Sequence, residues 1–74
     1  MREDVLNVLK SVREDVDFEN EMKLIDDGIL DSFDIISIVS ELNEKFFVEI
    51  TADELEPNNF NTLAAIVALV ESLQ

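Results

Sequence analysis

The sequence predicts an all-α protein: a small four-helix bundle of three main helices and one short helix, with a long loop between helices I and II. Apolar residues recur at i, i+3, i+4 and i+7 in three separate segments, as helices with one buried face require. The 74 residues include one glycine and one proline, too few for a loop-rich or disordered chain. No segment alternates with period two over a useful length. Phe47 to Ile50 comes nearest and is too short to build a sheet. The length allows one small domain, taken here as residues 1–74.

The first helix is carried by Val5, Val8, Leu9 and Val12, a single apolar stripe on a charged segment. A long acidic connection follows, from about residue 15 to residue 31, containing Asp26-Asp27-Gly28. A structureless loop of that length in a small domain is usually functional. Phe18, Met22, Leu24, Ile25, Ile29 and Leu30 supply anchors that lay it against the bundle. The second helix takes Ile35, Ile38, Val39, Leu42 and Phe46 as its stripe. Thr51-Ala52-Asp53-Glu54 fits a capping box and starts the short helix, which Pro57 and Asn58-Asn59 end. Asn61 or Thr62 caps the last helix, whose stripe is Leu63, Ile66, Val67, Val70 and Leu73. Ala64, Ala65 and Ala68 pad that helix and permit close packing.

Composition removes most chemistry. Without cysteine there is no disulfide, thiolate metal site or thiol nucleophile, and without histidine the usual general base is missing. A domain this small has difficulty enclosing a substrate pocket, so no catalytic residue is assigned and the chain is not read as an enzyme. Eighteen acids against five bases give a net charge of −13, a field that repels nucleic acid and anionic membranes and attracts basic proteins. The longest apolar run, Leu63 to Val70, falls far short of the ~20 residues of a membrane helix. The start, Met1-Arg2-Glu3-Asp4, lacks the apolar stretch of a secretory signal. The expectation is a cytoplasmic, monomeric protein that neither binds nucleic acid nor inserts in membranes. Nor is there a calcium loop: setting Gly28 at its sixth position puts Lys23 and Ile25 where carboxylates belong. No metal site is expected.

The informative stretch is Asp27-Gly28-Ile29-Leu30-Asp31-Ser32-Phe33-Asp34, which runs into the second helix. Taken alone, Ser32 is a helix cap or first-turn residue. A phosphodiester on Ser32 would, however, sit among the exposed amides of a helix N-terminus. At about 100° per residue, Phe33 and Ile36 point away from the core stripe. Rimmed by Asp31, Asp34, Glu41 and Glu44, they form a candidate docking patch. Incidental surface hydrophobes, or contacts for the long loop, remain the alternative.

On these residues the chain resembles the acyl carrier proteins, members of the phosphopantetheine-attachment superfamily. Asp31-Ser32-Phe33 is similar to the family's Asp-Ser-Leu motif, and the likeness runs through Glu44-Lys45-Phe46 and Glu49-Ile50 to the last helix. The resemblance implies that a phosphopantetheinyl transferase esterifies Ser32 with 4'-phosphopantetheine from coenzyme A. The arm's thiol then holds a cargo as a thioester for acyl-activating or acyl-transfer enzymes with basic docking patches. It also implies that Leu42, Ile50, Leu55 and Phe60 line any cargo cavity; their bulk points to a small cargo. The two residues between Gly28 and Asp31 resemble D-alanyl and other aminoacyl carriers, whereas Asp34 resembles fatty-acid carriers. Ser37, Asn43 and Lys45 stand where fatty-acid carriers often have glutamates. The leading expectation is a dedicated acyl or aminoacyl carrier outside bulk fatty-acid synthesis. A housekeeping fatty-acid carrier, a D-alanyl carrier of teichoic acid modification and an unmodified acidic helical adaptor are the alternatives.

Overall fold

In the computed structural model, which describes residues 1–74, the first apolar stripe winds into α1 (Arg2–Val12). Glu3 and Asp4 in its first turn and Lys10 in its last oppose the helix dipole favourably. Val5, Leu6, Val8 and Leu9 are buried, so the stripe is one residue wider than its periodicity indicates. The second stripe forms α2 (Ser32–Phe46), with Ile38 and Leu42 fully enclosed and Ile35, Val39 and Phe46 half-buried. The last forms α4 (Leu63–Leu73), where Leu69 joins Leu63, Ile66 and Val70 in the core. The Thr62 hydroxyl caps it, accepting the Ala65 amide at 3.0 Å. Thr62, not Asn61, is therefore the cap of the last helix.

The joint between α2 and α4 departs from expectation. Ala52–Glu54 forms only a 3₁₀ turn, and Pro57 opens a separate helix, α3 (Pro57–Phe60). A proline at the first helical position removes an amide that has no partner there and presets its φ, so here it starts a helix and does not end one. The Glu54 carboxylate accepts the Thr51 hydroxyl and the Thr51 amide, the latter at 3.0 Å, and these bonds hold its pKa below the usual carboxylate range. No strand forms at Phe47 to Ile50.

α1 packs against both α2 and α4, and α3 against α4, giving an all-helical bundle measuring 27 × 24 × 20 Å. The core comprises 16 buried residues, all apolar, so no charge is desolvated to build it. The long connection lies on this core as expected: Val16, Phe18, Leu24 and Leu30 are buried and Ile25 and Ile29 half-buried. Met22 is the exception, at 68% exposure. Asn61 staples the loop down. Its carbonyl accepts the Leu24 amide and its Oδ1 accepts the amides of Ile25 and Asp26, all within 3.1 Å.

Two backbone positions are left-handed. Gly28 (φ +69°) turns the loop toward Leu30, and a Cβ there would meet nothing within 4 Å. Phe47 (φ 54°) ends α2 where glycine is the usual residue, and its side chain is 94% exposed. Relief of roughly 1–2 kcal/mol of left-handed strain outweighs the entropy glycine adds to the unfolded chain. Phe47→Gly is thus expected to raise stability by about 0.5 to 1 kcal/mol in urea denaturation, and Gly28→Ala to lower it by about 1 kcal/mol. A loss of stability in Phe47→Gly would show that the aromatic ring packs.

Candidate functional site

The site is built at the start of α2. Asp31, extended at φ −98° and ψ −179°, is the helix cap: its Oδ1 accepts the Asp34 amide at 2.8 Å. The Asp34 Oδ2 returns the bond, accepting the Asp31 amide at 3.2 Å. This reciprocal box frees Ser32 from capping duty. Ser32 is the first helical residue, exposed, and its hydroxyl has no hydrogen-bond partner in the chain. The amides of Ser32 and Phe33 likewise find no acceptor. An uncommitted hydroxyl therefore stands at the positive end of a helix of 15 residues, beside two free amide donors. A phosphodiester esterified there fits the donor set, since its oxygens can take up those amides.

Asp34 does more than close the cap. Arg13, the residue after α1, donates from Nη1 to Asp34 Oδ2 at 2.6 Å and to the Ile29 carbonyl at 3.3 Å. Its Nε and Nη2 each reach an oxygen of Asp15 at 3.0 Å. The bidentate pair holds the Asp15 carboxyl below the usual aspartate range, and the two carboxylates raise the basicity of the guanidinium. Of the rim acids read from the sequence, Asp34 is thus tied up in a structural bridge, with its side chain 14% exposed. Asp31, Glu41 and Glu44 are exposed.

The structure brings Asp31, Ser32, Phe33 and Asp34 into one helical turn, with Ile36 on the next. Phe33 is 81% and Ile36 64% exposed, so both are free of the core and of the long loop. Of the four residues expected to line any cargo cavity, three lie inside the bundle and one at its surface. Leu42, Ile50 and Phe60 are packed in the core, Leu55 is exposed, and the one surface hollow lies elsewhere, between Met1, Arg2, Glu3, Leu6 and Glu19. No group of three or more acidic side chains converges to hold a metal ion, and no helix is long and apolar enough to cross a membrane. Arg13 was not singled out by the sequence, and Asn61 was named only as a candidate cap of the last helix, not as the staple of the loop. Arg13 had one signal, a lone cation following an apolar stripe and preceding Glu14-Asp15.

Truncating an exposed side chain beside an intact cap leaves the fold alone. Phe33→Ala and Ile36→Ala are expected to stay within about 0.5 kcal/mol of wild-type stability while slowing modification by a phosphopantetheinyl transferase. A strongly lowered thermal transition would contradict that separation.

Comparison with known proteins agrees with this geometry. The family described as "Phosphopantetheine attachment site" matches residues 3–70. Two relatives from Lactiplantibacillus plantarum, D-alanyl carrier proteins 1 and 2, are 37% and 38% identical over 71 residues, covering 95% of this chain and 89% of each relative. The D-alanyl carrier protein of Bacillus mycoides is 29% identical over 75 residues, 99% of this chain and 95% of its own. With a family match over nearly its whole length and a free serine at a helix start, the chain belongs to the phosphopantetheine-attachment family: it is a carrier that tethers cargo through 4'-phosphopantetheine, and not itself an enzyme.

Proposed function

We propose that Ser32 is the attachment residue and that the chain is a dedicated aminoacyl carrier working outside bulk fatty-acid synthesis, with D-alanine or a similarly small cargo. The observation that carries the assignment of Ser32 is its uncommitted hydroxyl at the first position of α2, with Asp31 as the cap. When bound, the phosphopantetheine arm supplies a terminal thiol that holds cargo as a thioester. The chain's own part is to present the Ser32 hydroxyl, to offer the Ser32 and Phe33 amides to phosphate oxygens, and to show Phe33 and Ile36 to partners.

Two observations favour a small cargo. Leu42, Ile50 and Phe60 are bulky side chains packed in the core. The relatives with 37% and 38% identity are D-alanyl carriers, and the two-residue spacing between Gly28 and Asp31 resembles that group. Asp34, the residue that resembles fatty-acid carriers, is occupied by Arg13 and the cap. The partners on this reading are a cytoplasmic phosphopantetheinyl transferase and an amino-acid-activating enzyme, each with a basic patch facing the acidic rim of Asp31, Glu41 and Glu44.

Intact mass after incubation with coenzyme A and a broad-specificity transferase tests the site. Wild type is expected to gain one phosphopantetheine and Ser32→Ala none, with the variant's stability within about 0.5 kcal/mol because the hydroxyl makes no bond. A variant that still gains the mass refutes the assignment. Offering the modified protein to a D-alanine-activating ligase and to a malonyl transferase then tests the cargo, with loading expected from the first.

A further inference from the structure

Arg13 is the one side chain from outside the turn that hydrogen-bonds on both sides of Ser32. Through Nη1 it binds the Ile29 carbonyl, three residues before Ser32, and Asp34 Oδ2, two residues after it. The same Asp34 oxygen accepts the Asp31 amide, so the guanidinium, the carboxylate and the cap form one connected bridge. Arg13 is itself fixed from two directions. Its amide bonds the Leu9 carbonyl at the end of α1, and its outer edge is clamped by Asp15. The side chain is 30% exposed and that of Asp34 14%, so solvent screens this contact less than a surface pair.

The charge also matters. Asp31 and Asp34 place two carboxylates in the turn that must receive a phosphate anion, and like charges at that range repel. Arg13 offsets the Asp34 charge directly. We infer that Arg13 is a positioning residue for phosphopantetheine transfer: it locks the Ile29–Asp34 turn so that Ser32 is held in the geometry of attack, and it compensates Asp34 as the phosphate arrives. The inference rests on the assignment of Ser32 as the attachment site.

Positioning and simple stabilisation leave different kinetic traces. A carrier whose Ser32 is misplaced still docks through Phe33 and Ile36, so the transfer step slows and kcat falls. A carrier that is merely less stable lowers the concentration of folded substrate, which raises the apparent KM and leaves kcat unchanged. Steady-state kinetics of the transferase with varied carrier are therefore measured for wild type, Arg13→Ala, Arg13→Lys and Val8→Ala. Val8→Ala destabilises the core face of α1 and removes none of the turn's hydrogen bonds.

Arg13→Ala is expected to lose about tenfold in kcat with KM changed less than about twofold. Arg13→Lys keeps a cation beside Asp34 and is expected to fall between it and wild type. Val8→Ala is expected to keep kcat. If Arg13→Ala loses its helical circular dichroism, Arg13→Lys against Val8→Ala carries the same comparison. An Arg13→Ala kcat equal to wild type, or a loss confined to KM, overturns the inference and leaves the Ser32 assignment standing. A wild-type chain that the transferase does not modify at Ser32 overturns both.

Discussion

A chain this short that gives a quarter of its length to one irregular crossing, Arg13 to Asp31, must tie that crossing down without a disulfide or a metal. It does so at two points. Asn61 holds the middle through three hydrogen bonds to backbone amides, and Arg13 holds the end through Ile29 and Asp34. Along it, Phe18, Leu24 and Leu30 sink into the core and supply the apolar burial. The crossing is thus held at its middle and at its end, which fixes where α2 begins.

On the proposed reading, the start of α2 carries the function. Because Asp31 and Asp34 cap each other, the first turn needs nothing from Ser32, whose hydroxyl and amide have no partner in the chain. Had serine been the cap, its oxygen would be engaged with a backbone amide two or three residues on. A separate capping residue immediately before the serine therefore explains the Asp-Ser order in physical terms. Phe33 and Ile36 on the outer side of the same helix are apolar groups that the core does not need and that a protein partner can bury.

Most of the helical architecture was legible in the sequence, because periodicity reports burial directly: the stripes Val5-Val8-Leu9 and Ile38-Leu42 are the inner faces of α1 and α2. The exposure of Ser32, Phe33 and Ile36 at the start of α2 was legible too, from position and from the helical wheel. The long-range polar contacts were not. Nothing local in Arg13 or Asn61 announces a partner 21 or 36 residues away. Pro57 misled because one residue type both ends and begins helices. Phe47 is a further case, an aromatic that the sequence places in an apolar run and the backbone turns out into solvent.

The central claim is that the first turn of α2 receives the phosphodiester on Ser32. Amide chemical shifts of ¹⁵N-labelled protein before and after modification test it most directly, read alongside the phosphorus spectrum. The account predicts one phosphodiester resonance and the largest amide shifts at Ser32 and Phe33, the two donors without an acceptor. Shifts centred on Ser37 or Ser40, the other exposed serines of α2, with Ser32 and Phe33 unmoved, would contradict it.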